Sequence, residues 1–386
     1  MAVISFGRRS RRPEETGKAA ILQGTLMKKR TLLAALAAGA MAVGLGFAPA
    51  SAADKLKVGF VYVGPVGDFG WSYQHDVARQ AVEKALGDKV ETTFVENVPE
   101  GPDAERVIDT LANDGTKLIF TTSFGFMDST LKVAKKYPDV YFEHATGFKR
   151  ADNVSTYAAR FYEARYVQGQ IAAKMSKSGI IGYVAPFPIP EVISGINSFM
   201  LGAQSVRPDL KIKIVWVSSW FDPGKESDAA KALIAQGADV LTQHTDSPAV
   251  MQAAAAKGIY AFGQDSDMIK FGEKAQLTAI VNNWSDYYIA RTKAALDGTW
   301  KSTDTWDGFD KGMVTMAPFT NMPDDVKKMA EDTEAAIKAG KLHPFKCPVV
   351  NQDGTTVECK GGDHLDPGQI LSMNWYVKGI EEKVPQ

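Results

Sequence analysis

The chain has 386 residues, 45% apolar and 23% charged, which excludes a disordered protein and suits two domains better than one core. The formal charge of −1 hides an asymmetry: residues 1–52 hold eight Lys/Arg against two Asp/Glu, and taking these from totals of 44 and 45 leaves a net of −7 beyond them. An acidic body argues against nucleic acid or anionic lipid as its partner, and two cysteines, Cys347 and Cys359, are too few for a cysteine-rich metal site.

From Met27 the chain reads Lys28-Lys29-Arg30, then an apolar run from Leu32 to Phe47, then Ala48-Pro49-Ala50-Ser51-Ala52. A basic start, an apolar stretch short for a span and an Ala-x-Ala end make a secretory signal peptide, cleaved after Ala52. An uncleaved anchor is the alternative. No cysteine stands at the cleavage point, so a lipoprotein is not expected. Residues 1–26 carry Arg8-Arg9 and Arg11-Arg12 without periodicity and read as an upstream extension, Met27 serving equally as a start. Those pairs lie far from the apolar run that twin-arginine export would require. The mature protein is thus expected to be soluble, monomeric and periplasmic.

After Lys57 strands and helices alternate. Short apolar runs predict strands at 58–63, 92–95, 118–122, 140–144 and 155–159, and again at 180–185, 211–218, 240–243, 259–262 and 277–281. Helical spacing recurs over 77–86, 103–113, 128–136, 165–176, 190–206, 225–236, 248–257 and 285–297. Asp222 is placed to cap the helix that Pro223 opens and Gly237 closes. Strands spaced by helices predict an α/β protein of two doubly wound parallel-sheet lobes. We divide them as 53–164 plus 286–386, with a C-terminal hairpin extension, and 165–285. Beyond Thr299 the pattern loosens into turns and one helix near 324–339.

An oxidising compartment makes a disulfide the default for two cysteines. Between them, Gln352-Asp353-Gly354 reads as a three-residue hairpin loop. In that register Asn351 faces Thr355, Val349 faces Val357 and Cys347 faces Cys359, the geometry a bridge needs.

Catalytic signatures are missing from the sequence. It holds no G-x-x-x-x-G-K-S/T, no G-x-S-x-G and no H-E-x-x-H. Gly64-Pro-Val-Gly67-Asp-Phe-Gly70 follows the first strand but lacks dinucleotide spacing. The pair His244 and Asp246 could serve as a base with its orienting carboxylate, yet strand-end loops often hold such pairs. No metal, no cofactor and no enzymatic activity are expected.

Open α/β sheets bind ligands at the carboxyl ends of their strands. The loops there offer Asp68, Phe69, Trp71, Ser72 and Tyr73, then Ser123, Phe124, Phe126 and Asp128. In the second half they offer Phe187 and Glu191, then Trp220, Phe221 and Asp222, then Gln243 to Asp246. Last come Gln264, Asp265 and Asp267, and Asn282, Asn283 and Trp284. Aromatic faces beside carboxamides and carboxylates suit a flat, polar, π-faced ligand. Each residue also has a plainer reading: the aromatics as core, Asp68 and Asp222 as helix caps, Asp265 and Asp267 as turn formers.

Gly67-Asp-Phe-Gly-Trp-Ser72, Trp220-Phe-Asp-Pro-Gly-Lys-Glu226, Gly237-Ala-Asp-Val240 and Gly263-Gln-Asp-Ser-Asp267 together resemble the basic membrane protein family. These are the PnrA-like periplasmic substrate-binding proteins of ABC importers. The likeness runs from about Leu56 to Phe319, and Trp306-Asp-Gly308 with Lys311-Gly312 adds a weaker match. It implies a type I periplasmic-binding fold with the ligand, a purine nucleoside in characterised relatives, enclosed at the hinge. An ABC permease in the inner membrane is the implied partner. Asp68 matches the aspartate that accepts from the purine edge, Trp71 stands where the family stacks a phenylalanine, and Asp265 matches a contact on the sugar side.

Three departures bear on the ligand. Ser72 replaces a frequent asparagine, Gln264 replaces an apolar residue, and Asn282-Asn283-Trp284 replaces the serine and downstream lysine of relatives that hold a ribose. A smaller ligand follows, a purine base such as adenine. The alternatives are a periplasmic nucleoside-processing enzyme and a ligand-sensing partner of a membrane receptor.

Overall fold

The structure is a computed structural model that describes residues 54–385 except Asp68. The signal-peptide reading and the role given to Asp68 lie outside the described residues. No helix among the described residues is long and apolar enough to cross a membrane.

The first half builds β1 (Leu56–Val61), α1 (Trp71–Leu86), β2 (Val90–Val95), α2 (Pro102–Asn113), β3 (Leu118–Thr121), α3 (Met127–Ala134), β4 (Tyr141–Ala145) and β5 (Val154–Ala159). Then follow α4 (Phe161–Met175), β6 (Ile180–Ala185), α5 (Pro190–Gln204), β7 (Lys211–Trp216), α6 (Pro223–Ala235), β8 (Val240–Gln243), α7 (Ala249–Lys257), β9 (Tyr260–Gly263), β10 (Gln276–Asn282) and α8 (Ser285–Leu296). The tail adds β11 (Asp304–Asp307), β12 (Val314–Met316), α9 (Asp324–Lys338), β13 (Val349–Val350), β14 (Thr356–Val357) and α10 (Pro367–Leu371).

Two six-stranded sheets result, ordered β2-β1-β3-β4-β5-β11 and β7-β6-β8-β9-β10-β12. The first is wholly parallel, and in the second only β12 runs antiparallel, against β10. Central strands buried on both faces, such as β3 and β6, are the near-continuous apolar runs that parallel sheets demand. The expected pair of doubly wound lobes is present, both in the 2-1-3-4-5 order. That order reverses direction between β1 and β3 and between β6 and β8, and the crevice at each reversal is where such folds bind ligands.

Two features escaped the sequence pattern. β11 pairs with β5 over Asp304↔Thr156 to Asp307↔Ala159, and β12 pairs with β10 over Asn282↔Val314 to Ile280↔Met316. Both strands are short and partly exposed, so neither shows an apolar run; each is held by a partner far away in sequence. The chain therefore passes between the sheets three times, after β5, after β10 and after β11. Helix α1 also starts at Trp71, six residues before its apolar period begins. Its first turns bury polar groups instead: Gln74 Nε2 donates to the Asn282 carbonyl at 2.9 Å, and His75 Nδ1 meets Tyr288 Oη at 2.5 Å.

The tail hairpin has the expected register, Val349↔Val357 and Val350↔Thr356, with Gly354 at φ +91°. Cys347 and Cys359 are joined, their Cα atoms 6.5 Å apart. Asn197 of α5 anchors the segment that follows: its Nδ2 donates to the Trp375 carbonyl at 2.7 Å, and its Oδ1 accepts from Val377 N at 2.9 Å. Thr333 of α9 donates to Gln170 of α4 at 2.7 Å.

Candidate functional site

The strand ends that flank the two reversals face each other across the cleft. Val63 and Trp71 follow β1, Ser123 and Phe124 follow β3, and Thr146 follows β4; these form one wall. Glu191 at the start of α5, Trp220 after β7, His244 and Asp246 after β8 and Asp265 after β9 form the other. The space between them is about 20 Å³. A cavity that binds benzene measures roughly 150 Å³, so a ring-sized molecule enters only if the lobes part.

Close approach of the lobes is built in. A Cβ on Gly70 would lie 2.2 Å from the Asp246 carbonyl oxygen, so only glycine permits this crossing. Ser266 Oγ donates to the Phe69 carbonyl, and Lys270 Nζ stands 3.4 Å from the centre of the Phe69 ring. Trp220 Nε1 donates to Glu100 Oε1 at 3.2 Å.

Trp71 is half-buried and held on its edges. Its Nε1 donates to the Thr122 carbonyl at 2.6 Å, while Trp284 and His75 pack against it edge-on at 5.5 and 4.4 Å. On the facing wall Asp265 sits at φ +62°, a strained value for a residue with a side chain. Its Oδ1 accepts from Gln264 Nε2 at 2.6 Å and from Asn282 Nδ2 at 2.8 Å. Gln264 Oε1 in turn accepts from Arg165 at 2.5 Å. Two of the sequence departures, Gln264 and Asn282, thus orient one carboxyl group.

Arg165 is fully buried behind this wall, donating also to Gln168, Thr242 Oγ1 and the Gln243 carbonyl at 2.8–3.0 Å. Burial pushes the Glu191 carboxyl up to about 8; Asp265 adds to the rise and Arg165 opposes it. Glu191 is therefore a neutral acid at pH 7, able to donate a hydrogen bond. His244 Nε2 stands 3.7 Å from Glu191, and burial with the Arg165 charge holds its pKa well down, so the imidazole is neutral. The loop carrying Asp246 is braced from below: Gln243 Nε2 donates to the Thr245 and Ser247 carbonyls, and buried Glu226 accepts from Ser247. The cleft thus offers aromatic faces, a carboxylic acid donor and carboxyl acceptors.

Of the residues assigned from sequence, Trp71, Ser123, Phe124, Glu191, Trp220, Asp246 and Asp265 surround this space. Phe187 lies beyond it, 5.2 Å from Trp220, with Phe221 on the outer side. Phe69 and Tyr73 pack on each other with tilted rings, 5.3 Å between centres, at the lobe contact. Ser72 Oγ accepts from Gly64 N, and Asn283 Oδ1 accepts from Ser285 N, so both serve the backbone. Trp284 is fully buried behind Trp71, stacked on His75 at 5.0 Å. Asp267 holds a turn through Ile269 N, Asp222 caps α6 through Lys225 N, Asp128 pairs with Lys149, and Phe126 is core. Val63, Thr146 and the supporting Arg165 and Glu100 were not singled out. Thr146 was within reach, since the strand-end rule applied to β4 leads directly to it.

The PnrA-like ABC transporter substrate-binding protein model matches residues 55–343. The chain belongs to that family. Among its relatives, a purine-binding protein of Brucella abortus is 65% identical over 337 residues, covering 87% of this chain and 96% of that protein. A putative ABC transporter glucose-binding protein of Haloferax volcanii is 36% identical over 336 residues, covering 87% and 83%. The chain shares its fold with solved solute-binding proteins of ABC transporters. One from Aeropyrum pernix has a TM-score of 0.66 at 18% identity, covering 79% of this chain and 95% of that one. Another from Conexibacter woesei has 0.58 at 20%, covering 75% and 98%.

Proposed function

We propose that the chain captures a purine base in the interlobe cleft and presents it to an ABC permease for import. The observation that carries this reading is the 65% identical purine-binding relative, aligned across nearly its whole length. The cleft chemistry agrees with it. A purine ring offers π faces to Trp71 and Phe124, ring nitrogens to the Glu191 acid, and an N–H edge to Asp246 or Asp265. The bare base, adenine among the candidates, is favoured over a nucleoside because Asn282-Asn283-Trp284 stands where relatives that hold a ribose have a serine and a downstream lysine, and Asn282 is committed to Asp265.

The mechanism is capture by closure. The open cleft takes the ring, and closure buries its polar edge so that an analogue lacking one hydrogen-bonding group loses affinity steeply. We assign residues 54–159 and β11 to one lobe and β6–β10 with β12 to the other. The C-terminal tail rides on the second lobe through α4 and α5. Export by the N-terminal signal segment would place the protein in the periplasm. Mass spectrometry of ligand released from freshly purified, denatured protein tests the assignment: a purine is expected, and recovery of a sugar or amino acid without one overturns it.

A further inference from the structure

Next to the central space lies a second, larger chamber of about 220 Å³. The two share Phe124, Thr146 and Glu191 as a common wall. The chamber reaches from there towards the crossings between the lobes, where Ala158 of β5, Phe161 of α4 and Trp306 of β11 line it, and Leu371 of α10 covers it. Its lining is mostly aromatic and aliphatic. An ion pair between Arg150 and Asp304, 2.6 Å apart, stands at its edge. Thr146 in the common wall holds φ at +60°, strain that packing must offset and that tends to gather at ligand clamps. Ala158 is small and half-buried, so the strand presents an open face there instead of a filled one.

We propose that this chamber receives an apolar substituent on the purine held in the cleft, so that the ligand class includes purines alkylated or arylated on an exocyclic nitrogen. The inference rests on the purine reading above. The geometry favours one bifunctional ligand over two separate ones. The carboxyls of Asp246 and Asp265 stand on one side of the common wall; on the other stand Phe161, Trp306, Ile370 and Leu371, with Arg150 and Asp304 paired to each other. Ligand pockets at domain interfaces commonly pair a few convergent polar groups with such a lining. A chamber of this volume exceeds the roughly 150 Å³ that accepts benzene, so a phenyl or branched five-carbon group fits.

Calorimetry on ligand-stripped full-length mature protein decides the matter, with 6-aminopurine, 6-benzylaminopurine and 6-(3-methylbutyl)aminopurine as probes. We expect at least one substituted purine to bind within about tenfold of 6-aminopurine or tighter. Ala158→Phe fills the chamber and should weaken that compound by more than about tenfold while changing 6-aminopurine by less than about threefold. Leu371→Trp, on the exposed cover, gives the same comparison without disturbing a strand. Binding of 6-aminopurine with both substituted compounds weaker by more than about tenfold overturns the inference alone. So does a wild-type preference that neither variant alters. Failure of every purine to bind overturns the purine reading as well.

Discussion

Trp220 of one lobe and Glu100 of the other are joined by an N–H···O bond of 3.2 Å, and the same carboxylate accepts from Ser123 Oγ at 2.5 Å and Gly125 N at 3.1 Å. One acid therefore ties the closing lobe to the loop that supplies Ser123 and Phe124. Trp220→Phe keeps the ring and removes only the donor, worth about 1 kcal/mol for a typical hydrogen bond and less where water competes. Purine affinity should fall roughly twofold to fivefold. Small-angle scattering should show a larger fraction of open molecules at subsaturating ligand. An unchanged affinity with unchanged scattering would show that this bond plays no part in closure.

Trp71 is held by the Thr122 carbonyl and by Trp284, so it serves both the cleft and the packing behind it. Trp71→Ala should abolish measurable purine binding and, by opening a cavity in that packing, cost about 3–5 kcal/mol of stability. Trp71→Phe should retain most of the stacking and lose less than half of that stability. Calorimetry and urea unfolding separate the two effects. Purine affinity left intact in a folded Trp71→Ala protein would place Trp71 in the core alone.

Glu191 keeps its proton up to about pH 8 in the fold but releases it near 4.5 when unfolded. Between those values the unfolded chain binds fewer protons than the native one, so this group lowers stability as pH rises from about 5 to 8. The groups facing it are Asp265, Arg165 and His244. His244, neutral in the fold, acts with the opposite sign, but only below its unfolded pKa of 6.5. Glu191→Gln should therefore flatten the pH dependence of the thermal midpoint between about pH 5 and 8 and leave it unchanged below about pH 4. Parallel curves for both proteins would mean that Glu191 is ionised in the fold. Affinity for a ligand that accepts from the acid should also decline above pH 8.

The bridge between Cys347 and Cys359 closes a short loop, 12 residues apart. Removing it by Cys347→Ser with Cys359→Ser should cost at most about 3 kcal/mol on chain-entropy grounds. The hairpin register and the Asn197 anchor persist, so the fold and purine affinity should survive. A reduced protein that unfolds at room temperature would show that the tail depends on the bridge more than on its packing.

Ten strands and most helices were legible in the sequence because central parallel strands are buried on both faces and must be apolar throughout. The hairpin register was legible too, from a glycine in a three-residue loop. β11 and β12 were not, because strands of four and three residues carry no periodic signal when a distant partner supplies their stability. The first turn of α1 escaped for a related reason: Gln74 and His75 are buried as hydrogen-bonded polar groups, which apolar spacing cannot reveal.

Composition and the alternation of apolar runs with helical spacing determined an acidic two-lobed α/β protein with aromatic and acidic residues at the strand ends. Only the tertiary structure decided which of them meet. Trp284 and Ser72 read like Trp71 and Asp265 in the sequence, yet the first pair turns into packing and the second into the cleft. The direction of a side chain at a strand end depends on the backbone turn beneath it and on what packs behind it. For Asp265 those are a φ of +62° and the amides of Gln264 and Asn282, contacts made across 17 residues or set by one strained peptide. The raised pKa of Glu191 is of the same kind, since it arises from burial in the fold and from Asp265, a residue distant in the chain.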